Sequence, residues 1–244
     1  MQKLNDYFEK LILEHNLNLV ISHDFSFDKN KPSIILLTGA SGAGKDSVIE
    51  PFCNGITSKG EIIGNKDAII SRIITTTTRE PREREDEMSY NFEKFAFSSN
   101  ENRDQIIERA KLELNLIESS FHMGSIYGIP KTGIDVVRKI GIGLIRMEIF
   151  GAKYTHEILL EQGFNTIIIS IQPKNIQELQ YRIKKRQPDM SESLLMDRLD
   201  RARKEMSLEN SLANFIIKNI NGELEKSRLT FSLLIKTIID LTKT

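Results

Sequence analysis

Short apolar runs and helical stretches alternate along most of this chain. The runs Ile34 to Thr38, Ile69 to Thr78, Gly143 to Ile149 and Asn165 to Ile171 predict strands of the buried, parallel kind. Apolar positions at helical spacing predict helices over Asp104 to Leu116, Lys131 to Lys139, Tyr154 to Glu161, Ile176 to Lys185, Ser191 to Met206 and Glu223 to Leu241. Strand followed by helix, repeated, predicts a three-layer α/β fold with a mostly parallel sheet. Ahead of this core, Leu4, Tyr7, Phe8, Leu11, Ile12 and Leu17 predict an amphipathic helix over residues 2 to 17. Its apolar stripe must pack on the core or on a second copy. The polar, turn-rich stretch Ser22 to Pro32 reads as a connector, so residues 1–31 form an extension and residues 32–244 the main domain.

Composition narrows the ligands. The chain of 244 residues is long enough for a sizeable core. Its 34 Lys and Arg equal its 34 Asp and Glu, which excludes the global basic field that draws proteins to nucleic acid or anionic membrane. An anionic ligand must therefore be held by a local cluster. One cysteine, Cys53, excludes an internal disulfide framework and suits a reducing compartment. Lys3, Asp6, Glu9, Lys10 and Glu14 interrupt the apolar residues at the amino terminus, which fits neither a signal peptide nor a membrane span. The expectation is a cytoplasmic protein without nucleic-acid or membrane partners. A homo-oligomer through the amino-terminal helix is the one assembly the sequence offers.

The strongest local signal follows the first core strand. Ile34 to Thr38 runs into Gly39-Ala40-Ser41-Gly42-Ala43-Gly44-Lys45-Asp46-Ser47, and then into Val48 and Ile49. Glycines let such a turn point its N–H groups inward around a β-phosphate at a helix amino terminus, and Lys45 adds a charge for the β- and γ-phosphates. The usual pattern has Ser or Thr directly after the lysine to hold Mg²⁺; here Asp46 stands there and Ser47 follows. Asp46 is a hard oxygen ligand and takes the metal itself or through water. Pro51 should kink or shorten the helix that the loop opens.

Downstream lie Thr75-Thr76-Thr77-Thr78-Arg79-Glu80-Pro81-Arg82-Glu83-Arg84-Glu85 and Tyr90-Asn91-Phe92. With the phosphate loop before it, this segment resembles the guanylate kinase pattern T-T-R-x-P-R-x-G-E followed by Y-x-F. The resemblance continues at Ile117-Glu118, Gly124 to Gly128, Arg186, Arg198-Leu199 and Ile216 to Asn219. It implies a P-loop NTPase fold with an acceptor-binding insert at about 72–135 and a short lid at about 186–197. It also implies ATP- and Mg²⁺-dependent transfer of a phosphoryl group to GMP. By this resemblance Arg79, Arg82, Tyr90 and Tyr127 bind the acceptor phosphate, Thr75 and Glu118 meet its base, and Glu148 contributes to the acceptor side. Lys45, Arg79, Arg186 and Arg198 stabilise the transferring group, Asn219 lies by the adenine of ATP, and Asp46 is the metal ligand. Arginines suit these tasks because their planar forks bind phosphate oxygens bidentately, and transfer between phosphates is mostly positioning and charge stabilisation.

Several positions depart from the family pattern. Where guanylate kinases carry D-x-D-x-x-G, this chain reads Arg146-Met147-Glu148-Ile149-Phe150-Gly151, keeping an acid only in the second place; the glycine of the arginine motif is Arg84. Lys45-Asp46-Ser47 and Tyr127-Gly128-Ile129-Pro130 look like bacterial ribose 1,5-bisphosphate phosphokinase, whereas the pair Arg79 and Arg82 looks like guanylate kinase. Two other readings stand beside the first. One is a kinase of the same fold with ribose 1,5-bisphosphate or another nucleotide as acceptor. The other is a non-catalytic guanylate-kinase-like module that binds phosphorylated peptides, against which Lys45 and the three loop glycines argue.

Overall fold

The structure is a computed structural model describing residues 2–23, 27–83, 85–122 and 124–243, with side chains from Tyr7 to Thr242 among them. Of the residues read from the sequence, Arg84 and the side chains of Lys3, Leu4 and Asp6 lie outside this description. In chain order the elements are α1 (Gln2–His15), β1 (Leu19–Ile21), β2 (Ser33–Thr38), α2 (Lys45–Ile49), β3 (Cys53–Ile56), β4 (Ile62–Gly64) and β5 (Ile70–Ile73). Next come β6 (Thr76–Thr77), β7 (Asn91–Phe92), α3 (Arg103–Glu113), β8 (Leu116–His122), β9 (Ser125–Pro130), α4 (Lys131–Ile140) and β10 (Ile142–Arg146). The chain closes with α5 (Ile149–Glu161), β11 (Asn165–Gln172), α6 (Ile176–Arg186), α7 (Glu192–Leu212), β12 (Phe215–Lys218) and α8 (Leu224–Lys243). Two units result: residues 1–52 with 147–244, and residues 53–146.

In the first unit the strands lie in the order β1, β12, β11, β2. β11 runs parallel to β2, with Ile167 beside Ile35, and parallel to β12, with Ile169 beside Phe215; β1 pairs antiparallel, Leu19 beside Ile217. Every residue of β2 and β11 is buried, the expected result of strands covered on both faces. Helices α5 and α7 pack on β11, and α8 packs on β12 and α2. Phe8 is fully buried, its ring 4.9 Å from that of Phe215, so at this residue α1 packs on the chain's own sheet. α2 lasts five residues before a 3-10 turn over Glu50–Phe52, as Pro51 dictates.

In the second unit β10, β5 and β3 run parallel and β4 adds an antiparallel edge. A separate sheet has the order β7, β6, β9, β8. Helix α3 opens on a capping box between Asn102 and Gln105 and packs Ile106 and Ala110 against Leu116 and Ile126 of that sheet. Cys53 is buried, and burial pushes its thiol up to about 12.

Several boundaries correct the sequence reading. The single strand expected over Ile69 to Thr78 divides into β5 and β6, which pair with different neighbours. The helix expected to reach Leu116 stops at Glu113, because Asn115 adopts a left-handed φ of 51° and Leu116 opens β8. Asn16, at φ 47°, likewise ends α1 at His15 rather than residue 17. The strand read to Ile149 ends at Arg146; Ile149 instead opens α5, well before Tyr154. The sequence reading did not include β1, β3, β4, β7, β8, β9 or β12 as strands.

Candidate functional site

Strand β2 delivers the chain into the glycine loop, and three of its glycines hold positive φ. At two of them a side chain has no room. A Cβ on Gly39 would strike the Ile171 carbonyl, and one on Gly44, at φ 91°, would strike the Asn219 amide. The loop is tied from behind: Ala43 O accepts from Asn219 Nδ2 at 2.8 Å and from Arg182 Nη1 at 3.1 Å. Arg182 also donates to Asn219 O at 2.6 Å and pairs with Glu178. Ser41, Lys45, Asp46, Arg182, Arg186 and Asn219 are among the residues lining a cleft of about 540 Å³. Lys45 Nζ donates to Gly39 O at 2.5 Å and to Ala40 O at 3.4 Å, two carbonyls of the loop itself.

Asp46 and Ser47 are exposed beside that cleft and offer hard oxygen donors, which fits Mg²⁺. Among the described residues no group of three or more His, Cys, Asp or Glu could hold a metal by itself.

Of the two arginines expected over the transferring group, Arg186 ends α6 and lines the cleft. Arg198, on α7, donates to Gln187 Oε1 at 2.7 Å. Glu148, at the start of α5, is exposed and pairs with Arg201 at 2.6 Å; Arg201 also reaches Glu205 at 2.9 Å. Farther along α7, Glu209 is fully buried and accepts from Ser170 Oγ at 2.8 Å and Gln172 Nε2 at 3.2 Å. Burial pushes Glu209 up to about 7, opposed by those hydrogen bonds and by the charge of Lys45. The sequence reading missed Arg182 and Arg201. A signal existed, since Arg182 and Arg186 are one helical turn apart and share a face.

Of the residues expected on the acceptor side, all but Glu148 lie in the second unit. Tyr127 of β9 stands beside Thr77 of β6 and Ser120 of β8. Ser119 donates from its hydroxyl to Ile107 O on α3, so by strand alternation Glu118 and Ser120 point to the opposite face. Tyr127, in register with Ser120, shares it. The Tyr90 ring centroid lies 6.1 Å from that of Tyr127. Arg79 sits 4.9 Å above the Tyr90 ring and grips Glu85 through both terminal nitrogens at 2.6 Å, while Glu85 also accepts from Arg82 N at 2.9 Å. This pairing holds the Glu85 carboxyl below its usual range and raises Arg79. The side chain of Arg82 is exposed. Thr75 precedes β6, and its carbonyl accepts from Asn91 N at 2.9 Å.

Glu118 is 7% exposed, and no described group donates a hydrogen bond to it. Burial pushes its carboxyl up to about 7, against the weaker pull of Lys111. A second cleft of about 480 Å³ borders Tyr90, but Glu61, Glu85, Asp86, Glu87 and Glu93 line it, so it repels a phosphate.

Comparison with known proteins follows the same lines. Residues 30–229 match the family model described as guanylate kinase. The guanylate kinase of Prochlorococcus marinus (strain MIT 9312) is 34% identical over 205 residues, covering 82% of this chain and 96% of the relative. Those of Mesoplasma florum and Mycoplasma capricolum are each 30% identical, over 83% and 86% of this chain. The alignments span 60% and 63% of the length of those two longer relatives. A crystal structure of guanylate kinase from Anaplasma phagocytophilum superposes with a TM-score of 0.53 at 20% identity, covering 85% of each chain, which shows the shared P-loop NTPase fold. A buried strand entering a glycine loop, the arginine-rich segment from Arg79 to Glu85 and a match over most of the sequence agree, and the chain belongs to the guanylate kinase family.

Proposed function

We propose that this chain is an ATP- and Mg²⁺-dependent guanylate kinase, which phosphorylates GMP to GDP by in-line transfer in the cytoplasm. The observation that carries the choice of acceptor is Glu118: a buried carboxyl, without a hydrogen-bond donor of its own, on the sheet face that also carries Tyr127. Guanine presents two donors on one edge, N1–H and the exocyclic amine, and a carboxylate accepts both. Adenine has a lone pair at N1 and no such amine. Thr75 adds a hydroxyl for the same base.

The donor half of the reaction rests on the glycine loop. Loop N–H groups and Lys45 hold the ATP phosphates, and Lys45 exchanges the Gly39 and Ala40 carbonyls for phosphate oxygens as it does so. Arg186 and Arg198 meet the charge that develops on the moving group. Asp46 and Ser47 would hold Mg²⁺, which would supply positive charge to offset that of the ATP phosphates. Arg79, Arg82, Tyr90 and Tyr127 fix the GMP phosphate. That phosphate is already an anionic nucleophile, so no general base is needed.

A coupled assay of ADP release over GMP, AMP, CMP, UMP and ribose 1,5-bisphosphate tests the proposal. GMP should lead, with AMP rejected by about 10⁴ to 10⁵ in kcat/KM, as a buried polar site rejects a partner that leaves it unpaired. Turnover of ribose 1,5-bisphosphate without GMP activity refutes guanine readout, and failure to bind ATP refutes the kinase reading altogether.

A further inference from the structure

Where α7 packs on β11 lies a carboxyl for which phosphoryl transfer has no direct use. Glu209 is fully buried, and its two oxygens are unequal. Oε2 accepts from Ser170 Oγ and Gln172 Nε2, whereas Oε1 is buried and accepts from no described group. An ionised carboxylate has sites for about four hydrogen bonds, so the charge on Oε1 is supported through space. Two cations supply that support, Lys45 at the start of α2 and Lys218 at the end of β12. Glu205, one turn earlier on α7, opposes it, and is itself paired with Arg201, which also holds Glu148 at the start of α5.

The residues around this carboxyl lead to the glycine loop, all within the first unit. Ser170 stands beside Thr38, the residue before Gly39, in the pairing of β11 with β2. The Gln172 side chain accepts from Lys218 Nζ at 2.7 Å, and its carbonyl accepts at 2.7 Å from the amide of Asn219, which braces Ala43. A triphosphate brought to Lys45 sets several negative charges on the ammonium that Glu209 draws on. Two anions then compete for one cation. Glu209 is the one that gains a proton at little cost near neutral pH, since burial already pushes it up to about 7.

We propose that Glu209 takes up a proton on Oε1 when ATP binds, so that Lys45 meets the phosphates without an opposing carboxylate behind it. The proposal rests on the reading of the glycine loop and Lys45 as the ATP-phosphate site. One O–H bond forms, the proton comes from solvent, and no other bond changes. Glu209 is thus a positioning residue, which acts on ATP through Lys45 and touches neither substrate.

Titration calorimetry of ATP with saturating Mg²⁺ into the full chain, in HEPES and in Tris from pH 7 to 8.5, reads the protons exchanged, because the two buffers ionise with different heats. A mean uptake of about 0.3 proton corresponds to about a threefold fall in ATP affinity between those limits. Glu209→Gln, whose amide oxygen can still accept from Ser170 and Gln172, should lose this uptake and flatten the affinity; protons of the nucleotide itself appear in both proteins and cancel in the comparison. Ser170→Ala removes a donor that holds the carboxyl down, so its uptake curve should move to higher pH, and this variant decides the matter if Glu209→Gln does not fold. Uptake that survives in Glu209→Gln belongs to another group, such as Glu205, and overturns the proposal, as does a parent that takes up no proton or a Ser170→Ala curve that coincides with the parent's. Failure of the parent to bind ATP refutes the loop reading and the proposal together. Uptake that depends on Glu209, with no transfer to GMP, leaves the proposal standing and refutes the choice of acceptor.

Discussion

Glutamine in place of Glu118 alters selectivity, pH dependence and stability together, and the structure fixes the sign of each. Burial holds this carboxyl at about 7, so near neutral pH about half the molecules carry it protonated. Only the ionised form accepts both guanine donors. About one tenth is ionised at pH 6 and about nine tenths at pH 8, so guanine affinity should rise roughly ninefold across that interval. Guanosine as a competitive inhibitor is the probe, because GMP's own phosphate titrates near pH 6. Stability moves the other way. The folded state raises this group from 4.5 to about 7, so it binds the proton more tightly than the unfolded chain does. Stability is therefore withdrawn as pH climbs through that window, by about 3 kcal/mol once the window is passed. Glu118→Gln should melt higher than the parent at pH 8, lose most of its preference for GMP over AMP, and bind guanosine without pH dependence between 6 and 8. A guanosine inhibition constant that is flat with pH in the parent, or equally steep in the variant, refutes the reasoning.

Lys45→Ala should abolish nearly all turnover while leaving the melting temperature close to that of the parent, because the lysine meets the charge of the moving phosphoryl group and its bonds to Gly39 O and Ala40 O lie within the loop. Wild-type turnover in a folded variant would disprove the phosphate-loop assignment. Asp46→Ser should preserve or improve Mg²⁺-dependent activity by restoring a hydroxyl after the lysine; its loss at unchanged stability would make the carboxylate a specific requirement. Gly44→Ala places a side chain at φ 91° against the Asn219 amide and should cost about 1–3 kcal/mol of stability along with ATP affinity, read by denaturant titration and nucleotide binding. Unchanged values for both would mean that the loop relaxes freely around this residue.

The parts legible in the sequence were those with local causes. Gly39 to Lys45 declares itself because a buried strand must end in a turn that only glycine can make, and Pro51 ends the following helix wherever it falls. The four-stranded sheet was harder. β8, which carries Glu118, Ser119 and Ser120, becomes a strand through its register with β9, a pairing that no local propensity encodes. The break between β5 and β6 was hidden for the same reason, since the run from Ile69 through Thr78 is β-rich throughout. Arg182 escaped notice because its role depends on Ala43 and Asn219, both far away along the chain.

That last triangle bears on how the protein is made. Ala43, Arg182 and Asn219 are joined by hydrogen bonds across separations of 139, 37 and 176 residues. The amino-terminal strand β1 pairs with β12, which includes Lys218, the residue before Asn219. A nascent chain emerging from the ribosome can lay β2 beside β11 once residue 172 is out, yet its glycine loop still lacks the amide that braces it. Nucleotide binding should therefore appear late in synthesis, when residues 215–219 have left the exit tunnel, and a chain stalled before that point holds a loop of the right sequence without its shape. Contacts this distant are costly to close and slow to form. They make the shape of the glycine loop a reporter of completed folding, formed by the whole unit and not by the segment whose residues name it.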